Sequence, residues 1–162
     1  MSNLTELVDI IEGMAVTFTT QISVSVTPTA YDYQELKNSV QSSGTPARLI
    51  TPFSDANRAS ATIGEWTIGN QSVITWTILD QLLWRPASEG LGLGDVAWDI
   101  MEYIQTYHAA VNSLTFETVS SGDRVEVVTV EAYARDDIEF PPFSGHRFVG
   151  VDCIWTLRVD DP

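Results

Sequence analysis

Along this chain the spacing of apolar residues shifts from a helical period to alternation and back, and each shift predicts an element. Leu4, Leu7, Val8, Ile11 and Met14 recur at helical spacing, predicting a helix from about residue 3 to 14 with Gly13 near its end. Asn3-Leu-Thr-Glu6 fits a capping box at its start. The helix has one apolar face, so it should dock on a core. Residues 15–28 then alternate, with Val16, Phe18, Ile22, Val24 and Val26 set between Thr, Ser and Gln. That pattern predicts a half-buried strand ended by Pro28. Residues 31–44 are polar and fit either a short helix or an excursion. Pro46 to Pro52 reads as a short strand bracketed by prolines, and 54–61 has loop composition.

The middle of the chain predicts a hairpin: Glu65–Ile68, a Gly69-Asn70 turn, then Ser72–Leu83. On the second arm Ile74, Trp76, Ile78, Leu82 and Trp84 share one face, interrupted by Asp80. Val73, Thr75, Thr77 and Leu79 share the other, and Pro86 stops the arm. After a Gly-Leu-Gly-Leu-Gly stretch the period returns to 3.6. Leu93, Val96, Ile100, Ile104, Tyr107 and Val111 form a stripe, and Asp95 suits the positive end of the helix dipole. Two long strands follow, at about 124–135 and 147–159. In the last, Val149, Val151, Cys153, Trp155, Leu157 and Val159 share one face, against Phe148, Asp152, Ile154, Thr156 and Arg158. Residues 136–143 read as an acidic, proline-stiffened connection. The order of elements predicts an α+β domain over residues 1–162, with an extra β segment or arm at about 15–44. Its mainly antiparallel sheet carries the N-terminal helix and the long helix on one face. The other face is left partly polar and open to a partner.

Composition narrows the function classes. A chain of 162 residues that is 44% hydrophobic can bury one core. No apolar run is long enough for a membrane span, and Glu6, Asp9 and Glu12 stand where a signal peptide would be apolar. Cys153, the single cysteine, excludes an internal disulfide and fits a small buried hydrophobe. There are 22 acidic against 8 basic residues, giving a net charge of -14, and Lys37 is the single lysine. Such a surface repels phosphate backbones, which argues against a nucleic-acid groove, and it suits a protein working at high salt.

Candidate chemistry is sparse. Gly90, Gly92 and Gly94 alternate strictly, no Lys-Ser/Thr pair follows them, and Glu89 and Asp95 would repel a phosphate. The stretch reads as a glycine hinge between arm and helix, not a nucleotide cradle. His108 and His146 lie in no catalytic motif. Asp136, Asp137 and Glu139 could bind calcium weakly but read better as a solvated acidic loop. Asp80 is open to three readings: an edge-protecting charge, a buried partner for an arginine, or a subunit contact. Trp84-Arg85-Pro86 is placed either to anchor an interface or to cap the core. No catalytic residue, cofactor or metal site emerges.

A docked N-terminal helix, the strand at Thr45–Thr51, a hairpin ending in the Ser72–Trp84 arm, the helix Leu93–Val111 and two closing strands give an order with a counterpart. Across roughly residues 45–160 it resembles the tail terminator proteins of long-tailed phages and archaeal tailed viruses. The resemblance implies a non-enzymatic virion protein at the head–tail junction. It would form a homo-oligomeric ring, usually a hexamer, that caps the tail tube and joins it to the head connector or stopper protein. DNA would only pass through the lumen, and no membrane is involved. Adaptors, stoppers and other tail components are the near alternatives, and a small ligand-binding domain or enzyme a remoter one. On the assembly reading, Asp80, Trp84, Arg85, Glu89, Gly90, Gly92, Gly94, Asp136, Asp137 and Glu139 are the candidate interface.

Overall fold

A computed structural model describes residues 4–14, 18–19, 25–26, 29–31, 47–51, 53–55, 58–59, 61–66, 72–86, 93–116, 124–139 and 147–160. Helix α1 (Leu4–Glu12) is followed by β1 (Phe18–Thr19), β2 (Ser25–Val26), β3 (Thr29–Tyr31), β4 (Ala47–Thr51), β5 (Phe53–Asp55), β6 (Arg58–Ala59) and β7 (Ala61–Trp66). Then come β8 (Ser72–Pro86), a 3-10 turn (Leu93–Val96), α2 (Ala97–Ser113), β9 (Arg124–Glu139) and β10 (Arg147–Asp160). The fold is α+β.

Strand β8 is the axis of the main sheet. Along one edge it pairs antiparallel with β10, from Asp160 opposite Val73 to Phe148 opposite Pro86. Its other edge is shared: β7 pairs antiparallel with the first part of β8, as the predicted hairpin requires, and β4 pairs with Leu79–Leu83. Strand β7 begins at Ala61 and not Glu65, and the predicted Gly69-Asn70 turn lies outside the described residues. Beyond β4 lies β3, running parallel to it, and beyond β10 lies β9, the last of the described strands on that side.

Both helices pack on the face that carries Ile78, Leu82 and Trp84 of β8 and Val149, Val151, Cys153, Trp155, Leu157 and Val159 of β10. Leu7, Ile11 and Met14 of α1 and Ile100, Tyr103 and Tyr107 of α2 complete that cluster. The apolar face read from the last strand is buried without exception. Full burial of each such aliphatic side chain is worth about 1.5–3 kcal/mol.

The second sheet face differs from expectation. Val73, Leu79, Gln81 and Leu83 of β8 and Asp152 of β10 are buried there, so over the sheet centre this face is closed. Alternation dictates this, because it places Val73, Leu79 and Leu83 opposite the helix layer, where three large apolar groups need cover. Exposure on this face is concentrated on β9, at Thr129, Glu131 and Tyr133.

Other boundaries also shift. The single strand expected over 15–28 is represented by the short pair β1 and β2, joined at Phe18–Val26 and Thr19–Ser25. The expected loop at 54–61 carries strand residues of β5, β6 and β7. Strand β9 does not stop at Arg135 but runs on through Asp136, Asp137 and Glu139. Acidic residues are poor strand formers, yet Ile138 continues the ladder opposite Phe148, and both are buried.

The strands kink together at one level. Asp136 and Asp137 both oppose Val149, while Trp84 is an unpaired extra residue between the partners of Val149 and Gly150. These are β-bulges, which bend a strand and sharpen its twist. Gly150 sits at their crossing, where a β-carbon would overlap the Leu82 carbonyl oxygen.

Candidate functional site

The most elaborate polar arrangement lies inside the core. Arg48 projects from β4 beneath the C-terminus of α1, where backbone carbonyls have run out of helical donors. All five of its N–H groups find acceptors. Nε donates to Asp80 Oδ1 at 2.8 Å, and one terminal nitrogen donates to the Met14 carbonyl at 2.8 Å and the Glu12 carbonyl at 3.3 Å. The other donates to the Ile11 carbonyl at 2.9 Å and to Asp80 Oδ2. A cation at the negative end of a helix dipole is favourable, and the bidentate carboxylate neutralises it.

Asp80 gains a further partner from above. The Tyr107 hydroxyl donates to Asp80 Oδ2 at 2.6 Å and accepts from Trp155 Nε1 at 2.6 Å. Tyr107 meets the Trp155 ring edge-on, with centroids 6.3 Å apart. Burial works against the Arg48 charge, but hydrogen bonding and the field of Asp80 outweigh it and hold the guanidinium above its ordinary pKa. Burial first, and then the negative field of Asp80, push the Tyr103 and Tyr107 phenols and the Cys153 thiol well above their ordinary values. The group is satisfied and closed to solvent, so it offers no reacting atom to a substrate.

A second network lies on the opposite face. Gln81 donates to Asp152 Oδ1 at 2.7 Å, and Arg135 bridges Asp152 at 2.8 Å and Asp137 at 3.0 Å. Arg135 holds the exposed Asp137 carboxyl below its ordinary pKa.

The residues singled out from sequence do not converge on one place. Asp80 is the buried partner of an arginine, the second of its three readings, and is 1% exposed. Trp84 is a core residue in the single chain, so neither presents a surface contact. Gly94 lies exposed in the 3-10 turn, and a β-carbon there would meet nothing within 4 Å, so its place needs no glycine. Asp136 and Asp137 are exposed on the bulge of β9, on a strand and not a loop. Glu139 ends that strand, paired with Arg147 along the backbone, and Arg85 pairs similarly with Val149. Glu89, Gly90, Gly92 and His146 lie outside the described residues. Among the described residues no group of three or more His, Cys, Asp or Glu is placed to hold a metal ion, and no helix is long and apolar enough to cross a membrane.

Sequence reasoning missed Arg48, Tyr107 and Trp155 as partners of Asp80. One signal was available: Arg48 is the single charge in a short strand between prolines, as Asp80 is the single charge on an apolar face. It also missed two surface features. Val127, Val128 and Tyr133 are 38%, 51% and 48% exposed on the edge strand, and Trp98 and Met101 are exposed on α2. Both helix residues fall off the buried stripe, which is the sign that could have marked them.

Comparison of the chain with family models, curated proteins and solved structures gave no match.

Proposed function

We propose that the chain is a structural subunit that assembles with copies of itself into a ring of the tail-terminator type, a virion neck component and not an enzyme. The observation that supports this is β9. It is a 16-residue strand, the last of the described strands on its side of the sheet, and none of them pairs with its outer edge. An unpaired edge offers a row of N–H and C=O groups to another chain. Val127, Val128 and Tyr133 add exposed apolar surface along it.

Bulges at Val128 and at Asp136–Asp137 bracket the regular stretch from Thr129 to Arg135. Bulges discourage indiscriminate pairing, so what remains is a short edge that favours one register. Six subunits, the tail tube, the head connector and a place in the virion come from the family resemblance. A net charge of -14 fits a lumen to which passing DNA does not adhere.

Light scattering and negative-stain microscopy of the full chain test the reading. Ring-sized particles that break down on Val128→Lys, with unchanged thermal stability of the subunit, are the expected outcome. A monomer at every concentration and salt tested would overturn it.

A further inference from the structure

Helix α2 turns Ile100, Tyr103 and Tyr107 into the core and carries Trp98, Met101, Gln105 and His108 on its exposed side. Trp98 is 80% exposed and Met101 is 59% exposed. Two large apolar side chains one turn apart, both facing water, form a patch of the kind that marks recognition sites. They are not merely a flat stripe. The described residues Trp98, Met101, Glu102, Ile104, Gln105 and His108 line a shallow open depression of about 650 Å³.

Charge decides what fits it. Helix α2 carries no Lys or Arg, and its two charged residues, Asp99 and Glu102, are both acidic. The groove is an aromatic and thioether surface on a helix whose charged side chains are all acidic. Its complement is cationic with an apolar anchor. A second copy of this chain is a poor source of such chemistry. It has 8 basic residues in all, of which Arg48 is buried and Arg135 and Arg158 are ion-paired.

We propose that the Trp98–Met101 groove of α2 is a docking site for a basic amphipathic segment of a different protein. An apolar side chain of that segment would lie between Trp98 and Met101, and its Lys or Arg residues would sit over Asp99 and Glu102. Methionine adapts its shape to varied apolar partners, and tryptophan gives a cation a ring face. This site goes beyond ring formation and stands whether or not the subunits assemble.

A fluorescently labelled synthetic helix of lysine and leucine is the probe, titrated into the full chain at low salt and followed by anisotropy. A peptide with glutamate replacing each lysine is the control. Trp98→Ser combined with Met101→Ser is expected to weaken binding about tenfold or more. Both side chains are exposed, so the thermal unfolding curve should not move. Asp99→Asn with Glu102→Gln should weaken binding several-fold, while Asp136→Asn with Asp137→Asn, the same change in net charge, should leave it nearly unaltered. Equal loss from the two charge pairs would mean general attraction to a polyanion and overturn the proposal. Unchanged affinity in the Trp98/Met101 variant, or equal binding of the acidic peptide, would do so too. Sedimentation separates this from assembly: an oligomer dissolved by the Trp98/Met101 change would make a second copy the occupant and also overturn it.

Discussion

Asp80 stands where several elements meet. Its own strand is β8; Arg48 brings β4 and the carbonyls of α1, Tyr107 brings α2, and Trp155 brings β10. Removing one partner of a buried pair strands the other charge, so Asp80→Asn or Arg48→Met should cost about 3–5 kcal/mol in urea unfolding. Arg48→Lys should fail as well, because an ammonium has three donors where five are used. Combining Arg48→Met with Asp80→Leu should recover part of the loss. The carbonyls of Glu12 and Met14 would still lose the donor that Arg48 supplies. The raised pKa values of Cys153, Tyr103 and Tyr107 set an alkaline limit. Between the unfolded and folded pKa values the native state holds protons that the unfolded chain releases. Stability is therefore fully present below about pH 9 to 10 and falls as pH rises above it. Unfolding midpoints measured from pH 7 to 11 check the sign, which would be refuted by a midpoint that rises in that range.

At the scale of elements, the level of Gly150 is where β8, β9 and β10 bend. Gly150→Ala would drive a methyl group into the Leu82 carbonyl, where backbone has to move. A loss of about 1–3 kcal/mol is expected, as for other overpacked sites. Gly94→Ala is the contrasting case. With open space around it, the change should stay within about 0.5 kcal/mol in the same assay. Sequence alone singles out Gly94, in the alternating glycine stretch, and passes over Gly150. Yet Gly150 is the one needed for a close backbone approach, and contacts alone reveal it.

For the whole molecule, 22 acids against 8 bases imply self-repulsion that salt relieves. Raising salt from about 0.05 to 1 M should add roughly 2–4 °C to the melting temperature for each kcal/mol of repulsion screened in a chain of this size. A flat response would show that the acids are spaced too widely to repel. The ring proposal and the α2 docking site make separate demands on this surface, one on the β9 edge and the other on an acidic groove.

What the sequence determined by itself was local and periodic. Helical spacing located α1 and α2, alternation located β8 and β10, and the residues facing the core on β10 were legible one by one. Burying an apolar stripe is a strong constraint that acts within a single element. Apart from the hairpin pair β7–β8, pairings across the sheet were decided only by tertiary structure. The continuation of β9 past two aspartates depended on Phe148 lying opposite Ile138, and the closed second face on cover for Val73, Leu79 and Leu83. Asp80 shows the division most clearly. Its place on an apolar face announced that a partner was required, but a charge 32 residues away in the chain supplied it. Partners of that kind are chosen by three-dimensional proximity, which no local pattern encodes.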